Sequence, residues 1–95
     1  MKTIKFNHYI CKVAIMKYDN DRIAIQLLDA EDNSPIATAS INLPEVKLEK
    51  DEVIIKDYSE NEGILQVLLD AGILEKTGKS VNVGFVNVKI CKLIN

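Results

Sequence analysis

Ser59-Glu60-Asn61-Glu62-Gly63-Ile64-Leu65-Gln66-Val67-Leu68-Leu69-Asp70-Ala71-Gly72-Ile73 is the stretch on which the fold turns. Ser59 and Glu62 have the spacing of a capping box. The Ser59 hydroxyl can accept the Glu62 N–H, and the Glu62 carboxylate can bond back to the Ser59 N–H. Glu60 and Glu62 also suit the positive first turn of a helix. Ile64, Leu65, Leu68 and Leu69 then recur on one helical face, a stripe that must be buried. Gly72 suits the left-handed residue just past a helix end, with Ile73 as its apolar follower. Gly63 alone is out of place, because glycine inside a helix costs ~1 kcal/mol relative to alanine.

The rest of the chain reads as strand. Upstream, Val53-Ile54-Ile55 is a β-branched run that predicts a strand reaching to about Asp57. Ile36 to Leu43 alternates Ala37, Ala39, Ile41 and Leu43 against Thr38, Ser40 and Asn42, and Pro44 ends it. Its small residues leave room for a helix above. Asp29 to Pro35 is a loop, and Glu45 to Asp51 is charged and exposed. Arg22 to Leu28 and Tyr9 to Tyr18 are strands joined by the turn cluster Asp19-Asn20-Asp21. The earlier of the two is apolar on both faces, with Ile10, Ala14 and Met16 opposite Cys11, Val13 and Ile15. Ile4 and Phe6 mark a short first strand before His8. Downstream, Glu75 to Lys79 reads as a turn. Ser80 to Ile94 reads as one long strand whose parity changes at Gly84, the mark of a bulge or a strong twist.

The predicted order is β-β-β-β-β-α-β. The fold class is α+β: one curved, mainly antiparallel sheet of five to six strands with a single helix on one face. At 95 residues the chain has room for one domain, 1–95. One helix leaves part of such a sheet uncovered, and that apolar remainder would suit a partner or a homodimer.

Composition excludes several classes. The chain is 47% apolar and 27% charged, the balance of a folded domain. No run approaches the ~20 apolar residues of a membrane span. Met1 to Lys5 has no apolar signal core, so a cytoplasmic setting is expected. Cys11 and Cys91 are expected to be buried thiols rather than a disulfide framework. One histidine, His8, and no Cys-x-x-Cys spacing argue against a metal site. No phosphate loop and no nucleophile elbow occur, so no catalytic residue, cofactor or metal is assigned and the chain is read as non-enzymatic.

Net charge is −2 but segregated. Residues 29–75 carry twelve acids against three lysines, −9. Residues 1–28 stand at +3 and residues 76–95 at +4. Blocks of this kind build charged faces that steer partners. The basic segments have no dense Lys/Arg stripe with stacking aromatics, so direct nucleic-acid binding is not expected. The candidate contact residues are Glu49, Asp51, Glu52, Asp57, Tyr58, Glu60, Asn61 and Glu62.

Several stretches carry a family likeness: Ile55 to Leu65, Ala24 to Asp32, Pro35 to Ala39 and Asn42-Leu43-Pro44. With the closing Val86 to Leu93, they give a chain that resembles a family of small uncharacterised proteins from gut bacteria, their phages and mobile elements. The resemblance imports no activity. It implies a setting, in which small acidic cytoplasmic proteins bind host proteins. The leading expectation is therefore a binding module that meets a host protein through an acidic surface, one that suits a basic partner. The alternative is a protein that binds or sequesters an anionic nucleotide at the helix N-terminus, against the repulsion of Glu60 and Glu62.

Overall fold

The computed structural model of the chain describes residues 3–94. Four strands form a first antiparallel sheet in chain order: β1 (Thr3–Phe6), β2 (Tyr9–Lys17), β3 (Ile23–Asp29) and β4 (Pro35–Thr38). The next strands are β5 (Ser40–Ile41) and β6 (Glu52–Ile55). A 3-10 turn (Ser59–Asn61) and one helix, α1 (Ile64–Asp70), follow. The chain closes with β7 (Leu74–Val83) and β8 (Val86–Leu93). The second sheet has the order β5-β6-β8-β7, again antiparallel throughout.

Mainly antiparallel sheet with one helix is the α+β class expected, but the single curved sheet becomes two four-stranded sheets. The cause is Ala39. The predicted strand Ile36 to Leu43 breaks there, and Ala39 serves both sheets. Its N–H donates to the Ile25 carbonyl of the first (2.8 Å), and its carbonyl accepts the Lys56 N–H beside the second (2.8 Å). Ser40 pins the corner: its Oγ accepts the Ile25 N–H at 3.0 Å and lies 2.8 Å from the Tyr18 hydroxyl. A small buried residue followed by a hydroxyl lets the chain change sheets without orphaning a backbone group.

Two expectations near the C-terminus are also corrected. Glu75 to Lys79 is not a turn but part of β7, with a bulge between Lys76 and Lys79. The Thr77 hydroxyl bridges the irregularity, donating to the Ile90 carbonyl (2.6 Å) and accepting the Lys79 N–H (3.1 Å). Gly84 marks no bulge. It is the first residue of the two-residue turn Gly84-Phe85, with φ 61, and pairs Val83 with Val86 in a hairpin. The parity change in Ser80 to Ile94 is thus a reversal of direction.

One core unites the pieces. Phe6, Cys11, Val13, Ile25 and Leu27 of the first sheet meet Val53, Ile55 and Cys91 of the second, with Ile64 and Leu68 of α1 packed among them. Leu65, the next residue after Ile64, closes the same cluster. The other face of the second sheet holds a smaller cluster, Ile54, Val88 and Ile90, covered by Leu43, Val46 and Leu48 of the strap between β5 and β6. Arg22 clamps that strap, donating to the carbonyls of Leu43 (2.8 Å) and Val46 (2.6 Å). The first sheet has no such strap. The expectation that β2 is covered on both faces fails at its outer side, where Ile10 is 54% and Met16 45% exposed.

The helix is shorter than the capping box predicts. Ser59 adopts φ 56 and makes no side-chain cap; Glu62 only donates its N–H to the Ser59 carbonyl (3.2 Å). The cap comes from Asp57, whose Oδ1 accepts the N–H groups of Gly63 (3.1 Å) and Leu65 (2.9 Å). Gly63 is the N-cap itself, at φ 95, which explains a glycine where a helix interior was expected. The C-terminus is as read. Gly72 at φ 72 donates to Leu69 (3.0 Å) and Ile73 to Leu68 (3.1 Å), the two bonds of a Schellman motif.

Candidate functional site

The polar junction between β6 and α1 builds the most distinctive surface of the molecule. β6 ends at Ile55, which is buried, and the next residues must climb from the second sheet to the helix. Asp57 turns inward to cap the helix. Asn61, 2% exposed, donates its Nδ2 to the Thr38 carbonyl at 2.7 Å and ties the 3-10 turn to β4. Tyr58 packs its ring toward the cluster of Ile54, Val88 and Ile90. The Lys56 ammonium lies 5.5 Å from the centroid of that ring and pairs with Glu60.

These constraints leave a groove of about 480 Å³. Ile36, Thr38 and Ile41 form one wall, from the joined edges of both sheets. Lys56, Tyr58, Glu60 and Asn61 form the other. The pair across its mouth is mutually stabilised. The hydrogen bond to Glu60 raises the Lys56 ammonium above its ordinary value, and the same bond lowers the Glu60 carboxyl. Both groups face solvent, so the pair adds little to stability. Its effect is positional, holding a carboxylate and an aromatic face side by side.

The eight residues expected to form one contact surface divide into two groups at opposite ends of β6. Tyr58, Glu60 and Asn61 line the groove, with Glu62 exposed beyond them and Asp57 spent on the helix cap. Glu49, Asp51 and Glu52 lie at the far end. Glu52 is 6% exposed: it accepts the Glu49 N–H at 2.8 Å and pairs with Lys79. These two bonds, the first the larger, lower its carboxyl below the ordinary range. Asp51 lies 3.7 Å from Lys92, which leaves Glu49 as the exposed carboxylate of that group outside any ion pair among the described residues. Two residues of the neighbourhood escaped the sequence reading. Lys56 falls inside the strand predicted to reach about Asp57, although Lys56 and Glu60 stand at the i,i+4 spacing of an ion pair. Thr38 acts through its backbone and carries no side-chain signal.

The two thiols sit in the shared core but on different sheets, Cys11 opposite Ile4 and Asp29, Cys91 opposite Val53 and Lys76. Both are free and buried, and burial is the main cause that pushes each thiol up. His8 lies in an exposed turn after Asn7, which adopts φ 56. Among the described residues no group of three His, Cys, Asp or Glu side chains is arranged to hold a metal ion, and no helix is long and apolar enough to cross a membrane. The N-terminus of α1, where an anionic nucleotide would bind, already holds the Asp57 carboxylate.

Compared with known proteins, the chain matches no family model, no curated protein and no solved structure. The resemblance to small proteins of gut bacteria and their phages therefore stands on the quoted residues alone.

Proposed function

We propose that the chain is a non-enzymatic binding module, an accessory protein of a phage or mobile element that engages a host protein in the cytoplasm. The contact surface is the groove between β4–β5 and the Lys56–Asn61 segment, with its acidic margin at Glu60 and Glu62. The observation that supports this reading is the groove itself: Lys56, Tyr58, Glu60 and Asn61 of the most distinctive sequence segment line one of its walls. Tyr58 supplies an amphipathic ring and Glu60 a carboxylate; Lys56 engages both in the free chain, so a cationic side chain on the partner would take its place. Glu49 and Asp51 lie outside this contact and act through long-range attraction.

The test uses a partner captured from the host and purified. Glu60→Lys and Glu62→Lys should slow its association about tenfold or more, with the difference shrinking as salt shortens the ~10 Å Debye length of 0.1 M solution. Lys5→Glu and Lys89→Glu should leave the rate within twofold or raise it, by about the same electrostatic argument. Loss of binding in the lysine variants, with the glutamate variants unaffected, would replace this surface by a basic one.

A further inference from the structure

The lysines of β7 and β8 divide by the face they occupy. Lys79 pairs with Glu52, and Lys92 lies 3.7 Å from Asp51. Lys76 and Lys89 have no acidic partner among the described residues. The Lys89 ammonium donates to the neutral Asn87 Oδ1 at 2.9 Å. Both unpaired lysines stand on the helix side of the second sheet. Lys76 is opposite Cys91 and Lys89 opposite Ile55, and Cys91 and Ile55 belong to the shared core. Beside them the surface sinks into a pocket of about 240 Å³. Leu65 of α1 and Cys91 give it an apolar floor, Thr77 and Gly78 of the bulge one side, and Lys76 and Lys89 its charged margin. At Gly78, φ 82, nothing beyond the chain neighbours lies within 4 Å of where a Cβ would stand, so the bulge leaves the space open.

We propose that this pocket binds a small organic anion with a compact apolar body, a carboxylate carried on a single ring or a branched chain. The body covers Leu65 and Cys91, and the carboxylate meets the two ammonium groups. Lysine stems lie along apolar surface and keep their charged heads free, so both heads can close over a bound anion. The walls offer no repulsion. No acid lines the pocket, and residues 76–95 contain none. The lysine charge is felt at the floor. Burial is the main cause that raises the Cys91 thiol; the Lys76 ammonium opposes that rise, and the Asp57 carboxylate adds to it. Asp57 itself is held by the Gly63 and Leu65 N–H groups of the helix cap. Volume sets the size of the ligand. The pocket falls short of the ~300–1,000 Å³ of sites for larger ligands. It exceeds the ~150 Å³ cavity that admits benzene. A nucleotide is therefore too large, and one ring fits.

The pocket shares no lining residue with the groove, so either proposal stands without the other. The test is a titration of the full chain with benzoate, read from backbone amide resonances. Benzoate should shift the amides of Leu65, Gly78 and Cys91 saturably, with half-saturation at about 1 mM or below. The amide of Cys11, in the first sheet, should stay in place. Benzamide keeps the ring without the charge and should bind about tenfold more weakly or worse. Inorganic phosphate keeps the charge without the ring and should give no saturable shift over the same range. Lys76→Gln and Lys89→Gln should each weaken benzoate about five- to tenfold, the scale of a hydrogen bond to a charged group. Neither should move the urea midpoint, because neither lysine has an acidic partner among the described residues. Lys17→Gln removes the same charge from the exposed end of β2 and should leave binding unchanged. A titration with no saturable shift overturns the inference. So does benzamide binding as tightly as benzoate, or a loss in Lys17→Gln equal to those in Lys76→Gln and Lys89→Gln, which would show attraction to net charge alone.

Discussion

In the second sheet both faces carry packed side chains, Val53, Ile55 and Cys91 on one and Ile54, Val88 and Ile90 on the other. The first sheet buries Cys11, Val13, Ile25 and Leu27 on its inner face and leaves Ile10 and Met16 open on the outer. The difference lies in what each outer face would gain from a cover. At the centre of the first sheet the outward residues are Ala14 and Ala24, paired across from Gln26 and Met16. Both alanines are already only 8% exposed, so a cover would gain little apolar area from them. The second sheet turns Ile and Val outward and needs the strap. Leu43, Val46 and Leu48 supply it, and Arg22 fastens it to the first sheet's own chain. An open face therefore need not be a binding face. The contact surface proposed above is instead the groove, on another side of the molecule's sheet junction.

The largest expected effect tests this asymmetry directly. Ile54→Ala, under the strap, should cost about 2–5 kcal/mol, as for other buried isoleucines. Met16→Gln, on the open face of the first sheet, should stay within about 0.5 kcal/mol. Urea unfolding at constant m-value reads both. Equal costs would mean that the outer face of the first sheet is covered after all, and would move the search for a partner there.

Much of the fold was legible because it was written in side chains. The alternation of Ile4 and Phe6, the strand from Tyr9, the Asp19-Asn20-Asp21 turn and the Gly72-Ile73 helix end all appear where the sequence puts them. What was misread depended on backbone geometry. Ala39 looks like any small strand residue, and only its two hydrogen bonds in opposite directions reveal a corner. Ser59 and Glu62 have capping-box spacing, yet Ser59 at φ 56 points its hydroxyl elsewhere and a carboxylate two positions upstream does the work. Thr77-Gly78 looks like a turn because a bulge needs the same residues. The candidate site was legible at Tyr58, Glu60 and Asn61. It was not legible at Glu52, whose burial depends on Lys79 arriving from a strand read as a turn.

A smaller effect sharpens the contrast between the junction's two carboxylates and its serine. Asp57→Ala removes the acceptor for two helix N–H groups and should cost about 1–2 kcal/mol, the upper part of the range for cap losses. Ser59→Ala should cost less than about 0.5 kcal/mol, since Ser59 caps nothing. Because Asp57 also sets the path from β6 to the groove, its loss should weaken the proposed partner contact as well, while Glu60→Gln should weaken that contact without moving the urea midpoint. A Ser59→Ala variant as damaged as Asp57→Ala would restore the capping box.

The smallest effect concerns how the second sheet fastens its bulged edge. Glu52 accepts the Glu49 N–H and pairs with Lys79, and both bonds favour its charged form. Its folded pKa therefore lies below its unfolded one. The unfolded chain binds the proton more readily, so the stabilisation is fully present above the ordinary carboxylate range and is lost as pH falls through the folded value. The size should be under about 1 kcal/mol, because Lys79 is half exposed and its charge is screened. Glu52→Gln should lower stability by that amount at neutral pH, and the gap between variant and wild type should close on acidification. Asp51→Asn, whose partner Lys92 stands at 3.7 Å with both groups half exposed, should show a smaller gap. Urea midpoints measured from neutral pH downward for the three proteins decide it. A Glu52 gap that persists unchanged in acid would mean that the carboxylate acts by packing rather than by charge. The bulged edge of β7 would then be held by Thr77 and the ladder alone.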